Sequence, residues 1–362
     1  MRVEVGRDPL TGRRQQKSRS VSGSKREAQQ VLNALLVEAQ SGQLSGTNAT
    51  FERLASEWLD LTEANLSPTT VRRYRNLLKN HIFPGIGSRR VESIRTSDLD
   101  RLYLSLSSTA MLSPATVRQI HAIIRRAFRQ AVLWGWIATN PASNSTPPKL
   151  VRRELTPPTP EQVSLLLRFA SSTDPEMARY LHIAASTGAR RGEICALRWR
   201  NVDTENRTLT IDRSIIEIPG GLAEKDTKTH ASRRNALDAG TLSAIEEQRR
   251  SAEEQCRTIG GSLDESSYVF SPDPAGAVPY NPGTMTKRFE RLRKALGLEG
   301  IRLHDFRHFT ATRLIAAGVP VRTVSGRLGH ANPSTTLAVY SHFVEASDFD
   351  AAEIIGNIIE SD

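Results

Sequence analysis

The chain has 362 residues and a formal net charge of +10, with an isoelectric point near 10.0, so it is long enough for two or three cored domains and basic enough to be drawn to a polyanion, nucleic acid above all. Cys195 and Cys256 lie far apart without C-x-x-C spacing, which argues against a disulfide framework or a structural zinc site. No apolar run reaches the roughly eighteen residues of a membrane span and the start lacks a signal-peptide core, so a soluble globular protein of a reducing cytoplasm is expected.

Residues 1–46 read as a small basic unit. Val3 and Val5 alternate with Arg2 and Glu4, the run from Arg7 to Gly12 supplies turn chemistry, and Gln15 to Val21 make a polar second strand. Ser24 then opens a helix, with Glu27 completing a capping box and Val31, Leu32, Leu35 and Ala39 forming the buried stripe. A two-stranded ribbon is marginal alone, so a partly ordered basic tail is the competing reading.

A Gly/Ser/Thr linker, Ser41 to Thr50, leads into residues 50–148, which contain an internal echo. Leu66-Ser67-Pro68-Thr69-Thr70-Val71-Arg72 recurs as Leu112-Ser113-Pro114-Ala115-Thr116-Val117-Arg118. Serine as N-cap with proline at N1 starts a helix each time, and two copies suit one helical bundle rather than a solenoid. In the second helix Val117, Ile120, Ile124, Phe128 and Ala131 form the apolar stripe, while Arg118, His121, Arg125 and Arg129 line another face, with no acid between Thr116 and Trp136. That face suits DNA phosphates, and Arg72, Arg73, Arg75 and Lys79 bias the first helix likewise; a solvated basic surface is the alternative. Trp134 and Trp136 flank Gly135 and read as packing anchors. Residues 141–160 hold six of the eighteen prolines together with Lys149, Arg152 and Arg153, a stiff basic linker.

Residues 155–345 form the last large region. It opens on the helix start Thr159-Pro160-Glu161-Gln162, and Thr187-Gly188-Ala189-Arg190-Arg191-Gly192-Glu193 then runs into Ala196-Leu197-Arg198-Trp199. Leu209 to Ile218 alternate like a strand, Pro219-Gly220-Gly221 turn, and Ala223 to Leu237 return through Lys228-Thr229-His230-Ala231-Ser232-Arg233-Arg234. Further on, Leu303, Phe306, Phe309, Leu314 and Ile315 recur at helical spacing, which puts His304, Arg307 and His308 on one face able to grip an oxyanion. Gly318 reads as a C′ glycine, and Pro333-Ser334 open the stretch to Tyr340. An H-x-x-R pair alone is more often an ion-paired face, and the zinc-protease spacing of HDFRH fails because Asp305 stands where a glutamate base is needed.

T-G-x-R-x-x-E, H-x-x-R at His304 and Arg307, Leu328-Gly329-His330 and Val339-Tyr340 together resemble the tyrosine recombinases, the phage integrase family. The resemblance implies a mainly α protein with small β-sheets in three domains. Residues 1–46 are similar to a partial arm-type DNA-binding domain, 50–148 to the SAM-like core-binding domain, and 155–345 to the mixed α+β catalytic domain. The tail 346–362 would be a helix, packed on its own domain or docking onto a neighbouring protomer.

By the same resemblance, Tyr340 attacks a scissile phosphodiester to give a 3′-phosphotyrosyl link. Arg190 and Arg307 hold the non-bridging oxygens, His304 and His330 hydrogen-bond the transition state, and Lys228, with Lys225 as its rival, protonates the leaving 5′-oxygen. Exchange of one phosphate ester for another needs no ATP, and the side chains already supply the charge, so no cofactor or metal is implied. The partners implied are attachment-site DNA, a homotetramer, a DNA-bending host factor and an excision factor, at the bacterial nucleoid. A DNA-binding protein that does not cut and a type IB topoisomerase-like relaxing enzyme are the rival functions.

Overall fold

The computed structural model describes residues 2–7, 14–18, 20–21, 23–40, 48–150, 156–226, 232–329 and 348–360. The chain divides into two compact units, 1–152 and 153–362, mainly α-helical with small antiparallel sheets. Among the described residues no helix is long and apolar enough to cross a membrane.

In the first unit β1 (Arg2–Arg7) pairs with β2 (Arg14–Ser18), with a bulge between Glu4 and Gly6. The helix α1 (Lys25–Gln40) follows the expected capping box: the Ser24 amide donates to Glu27 Oε2 at 2.8 Å, and the Glu27 amide reaches Ser24 Oγ at 3.4 Å. The echoed segments open α3 and α5 of a bundle made of α2 (Phe51–Glu63), α3 (Pro68–Leu77), α4 (Thr96–Ser108) and α5 (Pro114–Leu133). Ser67 and Ser113 each cap their helix by accepting from the amide three residues on, Thr70 and Thr116, and each cap is worth about 1 kcal/mol. After α3 the chain stays helical with wider turns over Leu78–Gly87, and so accommodates Pro84. Val117, Ile120, Ile124, Phe128 and Ala131 are all fully buried, and Phe128 meets Phe51 with ring centroids 5.1 Å apart. Trp136 is buried with Trp134 against it, so both serve packing.

The second unit starts with α6 (Pro160–Thr173), α7 (Pro175–Thr187) and the short α8 (Arg191–Cys195). Next come β3 (Val202–Asp203), β4 (Thr208–Ile211), β5 (Arg213–Ile218), β6 (Gly221–Asp226) and β7 (Arg233–Ala236). The strand expected over Leu209–Ile218 breaks at Asp212, a poor strand former, and its two halves go to different sheets. One sheet has the order β3-β4-β7; β5 and β6 form a separate hairpin whose turn places Gly220 at φ +85°. Among the described residues, helices α9 (Ala239–Thr258), α10 (Pro282–Ala295), α11 (Asp305–Ala316), α12 (Val321–Leu328) and α13 (Asp348–Ile359) follow. The core is built on α7, whose Met177, Tyr180, Leu181 and Ile183 are fully buried among Trp199, Phe270, Phe289 and Phe306.

Candidate active site

A helix leaves its last carbonyls without intrahelical partners, and these carry the negative end of the helix dipole. At α7 four consecutive carbonyls are taken by side chains from remote segments. Thr310 Oγ1 lies 2.7 Å from Ala185 O, Arg327 Nη2 donates to Ser186 O at 2.9 Å, Asn235 Nδ2 to Thr187 O at 3.2 Å, and Arg307 Nη1 to Gly188 O at 2.8 Å. Gly188 ends the helix at φ +63°, and a Cβ there would come within 2.4 Å of Leu328. The end of α7 thereby gathers α11, α12 and β7 beside the T-G-x-R-x-x-E motif, and Arg307, though distant in sequence, bonds a carbonyl two residues before Arg190.

Arg190 is fixed by its own motif. Its amide donates to Glu193 Oε2 at 2.9 Å and its Nη1 to Glu193 Oε1 at 2.8 Å, while its side chain keeps 26% exposure. Glu193 is 1% exposed, and its second oxygen also accepts from Arg233 Nη2 at 2.5 Å. Burial pushes the Glu193 carboxyl up, but the bond and charge of Arg233, followed by the charge of Arg190, outweigh it and hold the group below the usual carboxylate range. Arg191 turns away to Thr286 Oγ1, as a neighbour of the same charge but different direction should.

His304 stands at the N-terminus of α11, its ring 5.3 Å from that of His308 in a T-shaped pair. Burial, then the nearby His308, Arg307 and Arg190, push the His304 imidazole down to about 4, so it is neutral near pH 7. His304 as a residue stays exposed to solvent, which screens those charges, and a proton acceptor needs that neutral form. Arg190, His304 and Arg307 are thus brought together. Lys228, His330 and Tyr340 lie outside the described residues; Lys225, the rival of Lys228, is half-buried on β6 across from Ser214. The base of that hairpin is held where Glu224 accepts from Arg198 Nη2 and from the Tyr268 hydroxyl, both at 2.8 Å.

Sequence reasoning missed Arg233. The K-T-x-x-S-x-R pattern points to Arg234, which is 66% exposed and lies 3.9 Å from Asp203. Strand alternation would have found it, since β7 turns Arg233 and Asn235 inward and Arg234 and Ala236 outward.

On α5, Arg125 and Arg129 are exposed and, with half-buried His121 and with Arg126, line a recess of about 610 Å³. His121 is engaged and less basic than a free imidazole: its Nδ1 lies 3.1 Å from the Tyr103 hydroxyl, and burial followed by Arg125 and Arg118 lowers its pKa. Arg118, Arg72 and Arg73 are exposed but do not line the recess, and Arg75 is tied to Glu63 at 2.7 Å.

Residues 158–346 match the phage integrase family, and residues 51–146 match the phage integrase central domain. The chain belongs to the phage integrase family. Among relatives, the ICEBs1 integrase of Bacillus subtilis (strain 168) is 24% identical, covering 99% of this chain and 96% of that protein. The Tn1549 transposon integrase, solved in complex with a circular intermediate DNA, superposes with a TM-score of 0.72 at 21% identity, over 86% of this chain and 99% of that one. A lambda integrase tetramer bound to a Holliday junction gives 0.61 at 20% identity, over 90% and 92%. This integrase-family chain is a site-specific tyrosine recombinase, and the reading as a non-cleaving DNA-binding protein is not favoured.

Proposed function

We propose that the chain cleaves and rejoins attachment-site DNA through Tyr340. Its phenolic oxygen attacks the scissile phosphorus, giving up its proton to His304, and the P–O5′ bond breaks as Lys228 protonates the leaving 5′-oxygen. Arg190 and Arg307 bind the two non-bridging oxygens with fork-shaped donors, and His330 adds a further hydrogen bond. The bond energy is kept in the 3′-phosphotyrosyl ester, and a 5′-hydroxyl from a second duplex reverses the step.

The observation that carries this reading is the convergence of Arg190, His304 and Arg307 at the end of α7. Around that chemistry, residues 50–148 bind core DNA, with His121, Arg125 and Arg129 in the α5 recess and with Arg72, Arg73 and Arg118 as further contacts outside it; residues 155–345 cut it; and the basic unit 1–46 binds arm sites. Four protomers act together, as the lambda integrase tetramer on a junction suggests, with residues 346–362 docking on a neighbour; Ile355, Ile358 and Ile359 are exposed and offer the apolar surface. The reaction integrates or excises a mobile element at the bacterial nucleoid, aided by a DNA-bending host factor and an excision factor.

The test is covalent trapping on nicked suicide duplexes tiled across the DNA flanking the chain's own gene. Wild type should leave a protein–DNA adduct; Tyr340→Phe should bind the same duplex equally well and leave none. An adduct surviving that change would place the nucleophile elsewhere, and relaxation of supercoils without paired-site exchange would favour the topoisomerase-like rival.

A further inference from the structure

We propose that Arg233 is a positioning residue of this site, a single guanidinium that sets Arg190 and the segment carrying His330 at a fixed separation. The proposal rests on the roles given above to Arg190, Lys228 and His330. Arg233 is a cation with a side-chain exposure of 8%, and it does two unrelated jobs at once. Its Nη2 bonds Glu193 Oε2 at 2.5 Å, and Glu193 in turn holds both the amide and the guanidinium of Arg190. Its Nε donates to Arg327 O at 3.0 Å in the last turn of α12.

Gly329, the residue before His330, lies directly on this guanidinium. A Cβ added there would meet Arg233 Nη1 at 2.8 Å and Cδ at 3.1 Å, and φ +68° disfavours a side chain in any case. The neighbouring inward residue of β7 reinforces the tie, because Asn235 Nδ2 reaches both Thr187 O and Arg327 O at 3.2 Å. Arg233 also begins β7, five residues after Lys228 in the chain. Two proposed functional groups from two segments, Arg190 through Glu193 and His330 through its neighbour Gly329, therefore refer to one buried fork.

A lysine cannot replace it. One ammonium on a flexible stem carries the charge but lacks the planar spread that spans Glu193 and the Arg327 carbonyl together. Positioning errors of an ångström at a phosphoryl centre cost on the order of 10²-fold in rate. An arginine that merely glued the fold would lower stability and leave the rate per folded molecule unchanged.

The experiment compares wild type, Arg233→Ala, Arg233→Lys, Arg190→Ala and Tyr340→Phe as full chains, on one nicked duplex that traps wild type. Single-turnover adduct formation, duplex affinity and the folded fraction are measured on the same samples. Arg233→Ala and Arg233→Lys should each slow adduct formation by roughly 10²-fold with affinity within about threefold of wild type. Sub-denaturing guanidinium should restore at least about tenfold of the rate to Arg233→Ala and nothing to Arg233→Lys. Adduct rates within about threefold of wild type, or a loss that follows affinity and is not restored by guanidinium, would overturn the proposal. Should Arg233→Ala fail to fold, Arg233→Lys decides by its rate alone. If wild type forms no adduct on any duplex, the catalytic reading falls and takes this proposal with it; a wild-type adduct with unimpaired Arg233 variants removes this proposal only.

Discussion

Replacing Glu193 with glutamine tests the electrostatic centre of the second unit. The carboxylate is 1% exposed and is shared by Arg233, at 8%, and Arg190, at 26%. Breaking a buried pair by removing one partner costs about 3–5 kcal/mol, because the other charge stays buried and uncompensated. Here the amide oxygen of glutamine still accepts one bond and the guanidinium of Arg190 can turn to water, so the low end applies, about 3 kcal/mol. For a unit of this size each kcal/mol moves the midpoint by roughly 2–4 °C, giving a fall of roughly 6–12 °C in the transition of residues 153–362.

Scanning calorimetry and urea unfolding would measure it, with Arg233→Met and the double variant completing a cycle. Because the double variant leaves no lone buried charge on Arg233, it should recover roughly 2 kcal/mol relative to the sum of the singles. The pH dependence has a definite sign. The folded pKa of Glu193 is lowered, so its contribution is present above the ordinary 4.5 and is lost as pH falls through the folded value; Glu193→Gln should flatten that acid-side loss. A cost under about 1 kcal/mol, or additive singles, would refute the reasoning.

Other outcomes follow from the same geometry. His304 has a folded pKa of about 4 against 6.5, so its neutral form favours folding above 6.5 and that contribution is lost as pH falls toward 4; in a selectively labelled protein its ring should titrate below pH 5, and a midpoint at or above 6.5 would be inconsistent with the crowding seen here. Arg307→Lys keeps the charge but loses the fork that reaches Gly188 O, and should cut adduct formation on the order of 10²-fold while leaving duplex affinity nearly intact; equal losses in both would mean a binding role instead. Arg125→Ala with Arg129→Ala should lower the slope of log affinity against log salt by about 1.8, and an unchanged slope would remove the α5 recess from the DNA interface.

How far the sequence could be read depended on whether a feature was local. Ser67, Ser113 and Ser24 announced helix starts because capping is settled within four residues, and the stripe from Val117 to Ala131 announced a buried face because period alone decides it. Asp212 was harder: it is a poor strand former, but alternation continues through it, and that its two sides go to different sheets is not written in the pattern. Of the candidate site, Arg190, His304 and Arg307 were recognisable as motif members and the resemblance implied that they meet, but the means was hidden, since it lies in the carbonyls at the end of α7, which have no signature in residue type. Arg233 was concealed by its neighbour: in an Arg-Arg pair only strand direction says which member turns inward.

Gathering four guanidiniums in one place creates a conflict that the end of α7 resolves. Arg190, Arg233, Arg307 and Arg327 all come to the same region and repel one another. If each were matched by its own carboxylate, the region would hold together but lose the positive potential that attracts an anion. Instead Arg307 and Arg327 donate to backbone carbonyls at the negative end of a helix, which anchor a guanidinium through partial charge without neutralising it. Arg190 and Arg233 share one carboxylate, so a single negative charge serves two positive ones. The excess that remains is held by fixed dipoles before any DNA arrives, which is the condition under which stabilising charge developing on a phosphoryl oxygen needs no reorganisation of the site.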